Sequence, residues 1–172
     1  MSVKAKEEYQ EFFDAMHRFR HLRPFQVIPE LSGNDHRTIK TIACLTGCST
    51  HPHFKEMPVL EEGVKVNVIA RFMHVSAPQI SRTLRGLEDK GLIVRIEDPK
   101  DRRNTYIKLT EQGVEMVEKT DAVMNEFFHN VFRKMDPAQV KEMTAFFTQL
   151  YELSQVEIER LKEKYKKKED NE

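Results

Sequence analysis

Ala77, Gln79, Ser81, Arg82 and Arg85 bring a methyl, an amide, a hydroxyl and two guanidiniums into one short stretch. These groups match the edges of stacked base pairs and the phosphates beside them. Arginine pairs with guanine O6 and N7, glutamine with adenine, and an alanine methyl touches the methyl of thymine. Ser76, just before them, adds a second hydroxyl. The same residues would also serve as an ordinary solvated helix face, so their meaning rests on the elements that carry them.

The carrier reads as one amphipathic helix over residues 76–90. Ser76 is a suitable N-cap, and Gln79 three residues on completes a capping-box pattern. Pro78 sits in the first turn, where a missing N–H removes no helical hydrogen bond. Ile80, Leu84 and Leu87 recur at spacings of four and three and share the face opposite the polar set. Gly91 supplies a left-handed stop. Two alternating stretches follow, Leu92 to Glu97 and Thr105 to Leu109. Ile107 and Leu109 are apolar against Tyr106 and Lys108. Period two on both sides of a polar, Pro-containing segment predicts a hairpin. Its tip carries Asp98, Lys100, Asp101, Arg102 and Arg103. A helix followed directly by a basic-tipped hairpin is a winged helix, which sets the helix into a major groove and the wing against a neighbouring minor groove. A narrow minor groove concentrates negative potential and favours arginine. Asp101 then orients a neighbouring guanidinium, as bidentate carboxylate–guanidinium pairs do.

Residues 98–113, DPKDRRNTYIKLTEQG, resemble the wing signature of the MarR (multiple antibiotic resistance regulator) family. That signature is an Asp-x-Arg tip, an alternating strand, and Leu-Thr-x-x-Gly opening the next helix; here it is carried by Asp101 to Arg103 and Leu109 to Gly113. Residues 66–95 are similar to the helix-turn-helix that precedes the wing. The resemblance implies a mainly α chain with a small β-wing, a winged helix-turn-helix flanked by N- and C-terminal dimerisation helices. It also implies a homodimer interlocked through those helices and a pseudo-palindromic double-stranded DNA operator, with repression by promoter occlusion. Ser76, Ala77, Gln79, Ser81, Arg82 and Arg85 would touch bases and phosphates, Arg103 the minor groove, and Arg95, Lys100 and Arg102 the backbone.

The formal charge of the 172-residue chain is zero, with 28 basic and 28 acidic residues. The distribution is uneven: residues 64–110 hold ten Lys and Arg against five Asp and Glu, an excess of five positive charges. A local basic face is what phosphate neutralisation requires. No apolar run approaches the length of a membrane span, no signal-peptide core is visible at the start, and Cys44 and Cys48 are the only cysteines. The expectation is a bacterial cytoplasmic protein without a cofactor or a membrane partner. No phosphate-cradling Gly-rich loop, His-Glu-x-x-His pair or nucleophile elbow points to an enzyme.

The segments around this unit divide the chain into 1–34, a dimerisation helix and connector; 35–110, the winged domain; and 111–172, dimerisation helices with a charged tail. The first helix bears Tyr9, Phe12, Phe13, Met16 and Phe19, and prolines 24 and 29 follow it. Asn34 or Asp35 caps a second helix that Gly47 stops. Residues 64–66 form a short strand able to pair with the wing, and a helix over 67–73 packs Val66, Ile69, Ala70 and Met73 inward. Thr110 caps a helix to about 135, Asp136-Pro137-Ala138-Gln139 starts another, and the end from Lys162 frays. The aromatic stripes on the terminal helices exceed what the winged unit can cover, which predicts burial against a second copy.

The resemblance also implies a small-molecule effector site between the dimer helices and the winged domain, with His17, Arg20, His21, Phe54 and Met57 as candidate lining. Cys44, Cys48, His51 and His53 have the ligand types of a Zn²⁺ site, or of a redox-labile thiol pair. Cys44 beside Ala43 and Leu45 is equally a small core residue. Two alternatives stay open: a winged helix used as a protein-interaction module, and a metal- or redox-responsive regulator using these four residues.

Overall fold

The computed structural model describes residues 3–22, 27–48, 59–97 and 105–169. Its elements are α1 (Val3–Arg20), α2 (Gly33–Leu45), β1 (Val64–Lys65), α3 (Val66–Met73), α4 (Ala77–Asp89), β2 (Ile93–Glu97), β3 (Thr105–Leu109), α5 (Glu111–Phe132) and α6 (Pro137–Glu169). Two compact units emerge, residues 1–125 and 126–172.

In the first unit α2 begins earlier than the sequence suggests. Ser32, rather than Asn34 or Asp35, is the N-cap. Its hydroxyl accepts from the Asp35 N–H at 3.1 Å, and the Asp35 carboxylate accepts from the Ser32 N–H at 3.1 Å. This reciprocal box satisfies two donors at once, which a cap at Asn34 or Asp35 would not. The helix then buries Ile39, Ile42, Ala43 and Leu45, and ends at Thr46 with Gly47 in the left-handed region at φ 74°.

Ile28, Val64, Ile69, Ile80, Leu84, Leu87, Leu92 and Ile107 close the core around α2. Each such Ile or Leu, wholly removed from water, contributes about 1.5–3 kcal/mol relative to an exposed position. Ile69 and Ala70 of α3 are buried, with Val66 and Met73 packed against the core, as their spacing predicts.

The three strands form an antiparallel sheet in the order β1-β3-β2. Val64 lies opposite Ile107, and Arg95 lies opposite Ile107 on the other side. This register puts Ile93 and Ile107 on the core side, while Val94 and Ile96 are exposed. Leu92, which precedes the strand, is buried as well.

In the second unit α6 starts as the sequence predicts. Asp136 accepts from the Ala138 N–H at 2.7 Å, and Gln139 accepts from the Asp136 N–H at 3.3 Å, with Pro137 opening the helix. Its end departs from expectation: the helix runs through the charged stretch to Glu169 instead of fraying at Lys162. Lys and Glu are good helix formers, and the pairs Glu157–Arg160 and Glu159–Lys162 join their charges one turn apart. Phe146, Phe147, Tyr151, Leu153 and Ile158 are exposed along it.

Candidate nucleic-acid interface

Helix α4 is set by a tight turn. His74 ends α3 at φ 53°, and the Val75 N–H donates to the Ala70 carbonyl at 3.0 Å. Three turns of α4 then bury Ile80, Leu84 and Leu87, which fixes the helix about its own axis. Ser76, Ala77, Gln79, Ser81, Arg82 and Arg85 are all exposed on the remaining surface. Ser76 is the N-cap, with extended backbone at φ −72° and ψ 152°, but its side chain makes no capping hydrogen bond. The expected capping box with Gln79 is therefore not formed. Both residues face solvent, where water satisfies the first-turn N–H groups, so the missing bond costs little. Among the described residues no carboxylate pairs with Arg82 or Arg85, and both guanidiniums stand open to solvent.

Arg95 lies on β2, and its Nε donates to Glu88 Oε2 of α4 at 2.8 Å. Both side chains are about a third exposed, so the pair is worth at most about 1 kcal/mol. Lys100, Asp101, Arg102 and Arg103, the sequence-predicted wing tip, lie outside the described residues.

Sequence reasoning missed the ion pairs that lock the helices behind this face. Lys90, which caps the C-terminus of α4, donates to Asp35 Oδ2 at 2.6 Å. Asp35 thus serves its own helix cap and holds the end of α4. Its signal was Ser-x-x-Asp at residues 32–35. One turn along α2, Lys40 binds the carboxylate of Asp121 on α5. His36 lies between, buried. Desolvation pushes its pKa down to about 4, Lys40 pushes the same way, and the Asp121 carboxylate opposes them.

The other predicted sites fall only partly on the described residues. His17, Arg20 and His21 are exposed at the end of α1, while Phe54 and Met57 lie outside the described residues. An open cleft of about 490 Å³ sits elsewhere, beside β1, where Lys65 lies 5.4 Å over the Tyr106 ring and Glu62 and Val68 complete the wall. Cys44 is buried in the α2 core face and Cys48 is exposed beyond it; His51 and His53 lie outside the described residues. Among the described residues no three His, Cys, Asp or Glu side chains gather as a metal site, and no helix is long and apolar enough to cross a membrane.

Residues 59–104 match the model of the MarR family. The fold is similar to that of MepR, described as a transcription regulator of the Staphylococcus aureus multidrug efflux pump MepA. The TM-score is 0.59 at 19% identity, over 87% of this chain and 96% of that one. The S. aureus MepR–DNA complex gives 0.60 at 22% identity, over 83% and 94%. MepR bound to ethidium bromide gives 0.54 at 22%, over 83% and 93%. Residues 59–104 thus resemble the MarR family in sequence, and most of the chain shares the winged helix-turn-helix fold of MepR.

Proposed function

We propose that the chain is a homodimeric transcription regulator that binds a pseudo-palindromic operator in double-stranded DNA and releases it in response to a small molecule. One observation carries the DNA-binding reading. Helix α4 buries Ile80, Leu84 and Leu87 and presents Gln79, Ser81, Arg82 and Arg85 to solvent, with no described carboxylate pairing the two arginines. Such a face reads base edges in a major groove while its cations neutralise phosphates. The MepR–DNA complex supports the same docking, and MepR bound to ethidium bromide supports a small-molecule effector.

The dimer reading is supported by apolar side chains left in water on the terminal helices. Tyr9, Phe13 and Phe19 of α1 are 54–61% exposed, and Phe146, Phe147 and Tyr151 of α6 are 44–61% exposed. Two recognition helices related by a two-fold axis would enter successive major grooves about one helical turn apart. Regulation would be repression by occupying a promoter, and the chain would act in the cytoplasm by binding, without catalysis.

Selection of bound fragments from random duplexes, followed by fluorescence anisotropy at two salt concentrations, tests the reading. The selected site should be an imperfect palindrome, bound with an affinity that falls steeply with salt. Arg85→Ala should weaken binding by roughly one to three kcal/mol if it reads a base. Failure to enrich any duplex, with a folded protein, would remove the DNA-binding reading in favour of a protein-interaction module.

A further inference from the structure

We propose that His17 and His21 form a two-imidazole chelate for a late first-row divalent cation such as Ni²⁺ or Zn²⁺. His17 lies in the last turn of α1 and His21 directly follows the helix, where its N–H donates to the His17 carbonyl at 3.1 Å and continues the helical turn. Their ring centroids are 4.3 Å apart with the planes tilted by 58°. Both side chains are exposed. Two histidines at this spacing on one helix face are the arrangement by which helices present a pair of imidazole nitrogens to a single metal ion. Holding the rings together in advance lowers the ordering cost of chelation.

Two surrounding features favour a cation. The pair sits at the C-terminal end of α1, the negative end of the helix dipole. Asp14 is one turn before His17, exposed, and held by Gln10 at 3.2 Å; its charge offsets one of the two guanidiniums, Arg18 and Arg20, on the same end. By helical periodicity His17 follows Tyr9 and Phe13 on one row, and Gln10, Asp14 and His21 lie on the adjoining row. With two protein ligands, water fills the remaining positions, and the site exchanges metal far more readily than a four-ligand structural site. Imidazole nitrogens select Ni²⁺, Cu²⁺ and Zn²⁺ over Mg²⁺. The site stands independently of the DNA-binding reading.

The test is calorimetric titration of tag-free, full-length protein with Ni²⁺, Zn²⁺ and Mg²⁺. One Ni²⁺ or Zn²⁺ per chain should bind and Mg²⁺ should not. His17→Ala and His21→Ala should each weaken Ni²⁺ binding at least tenfold, with the helical circular dichroism unchanged. His21→Ala combined with Leu22→His keeps two imidazoles but moves one off the face, and should bind no better than His21→Ala alone. The proposal is overturned if wild-type protein binds neither metal. It is equally overturned if both single variants bind like wild type, or if binding disappears in Cys48→Ser and survives in His17→Ala.

Discussion

The hydroxyl of Thr110 donates to the carbonyl of Gly91 at 2.6 Å and accepts from the N–H of Gly113 at 3.0 Å. The Thr110 N–H donates to the Leu92 carbonyl at 3.1 Å. One residue thus ties the exit of α4 to the last residues of the wing and the first turn of α5. Thr110→Val removes both side-chain bonds while keeping the volume, and should lower stability by roughly one to three kcal/mol. Thr110→Ser should retain most of it. Urea denaturation of the three proteins measures both.

Gly113 reports on the same junction from the other side. A Cβ at this position would lie 2.0 Å from the backbone carbonyl oxygen of Leu92, and backbone cannot swing away as a side-chain tip can. Gly113→Ala should cost about 4 kcal/mol or more, or prevent folding. Gly33, in the first turn of α2, is the control, because a methyl added there would meet nothing within 4 Å. Gly33→Ala should be neutral or stabilising by up to about 1 kcal/mol. Thermal melts should show a large loss for Gly113→Ala and none for Gly33→Ala.

These two residues show what is legible in the sequence. The Leu-Thr-x-x-Gly pattern is visible as a signature, and periodicity locates Ile80, Leu84 and Leu87 correctly, because local spacing alone decides which face of a helix is apolar. The reason for Gly113 is not visible, since it depends on how closely α5 approaches Leu92. The same limit hides Asp35–Lys90 and Lys40–Asp121, whose partners are separated by 55 and 81 positions in the chain. Alternation in β2 groups Leu92, Val94 and Ile96 as its apolar side, yet Val94 and Ile96 are exposed and Ile93 is buried, because pairing with β3 sets the inward face and places Arg95 opposite Ile107. The charged end of α6 reads as a tail by composition, yet the helix continues to Glu169, because Lys and Glu are good helix formers.

Under the DNA-binding proposal, the tip of the wing gives an unusual sign. Arg103→Ala should weaken operator binding by roughly one to three kcal/mol, the range of a groove contact. Asp101→Ala should do nearly as much harm although it removes a negative charge, because the carboxylate aims the cation. Tighter binding by Asp101→Ala in an anisotropy titration would mean simple repulsion and end the orienting role.

Under the dimer proposal, a charge placed on either exposed aromatic stripe should break assembly. Phe13 is 61% exposed on α1, and Phe147 is 44% exposed on α6. Phe13→Glu or Phe147→Glu would bury an unpaired carboxylate in a contact that excludes water, which is strongly unfavourable. Sedimentation velocity should show wild type as a dimer and the variants as monomer or aggregate. Wild type sedimenting as a monomer at micromolar concentration would remove the proposal.

The last prediction concerns acid. His36 is 7% exposed on α2, and burial holds its folded-state pKa at about 4, below its ordinary 6.5. Between those values the unfolded chain binds a proton that the folded chain refuses. Stability therefore rises with pH across this window. The contribution is fully present above pH 6.5, is lost progressively as pH falls toward 4, and changes no further below. The full shift corresponds to roughly 3 kcal/mol. Asp121, which favours the charged ring, limits the loss, and Lys40 adds to it. His36→Gln keeps a polar side chain of similar reach that does not titrate. Its urea midpoint should change less than that of wild type between pH 7 and pH 4.5, even if it is lower at neutral pH. Parallel curves for the two proteins would show that other groups, not the buried imidazole, set the acid sensitivity of the fold.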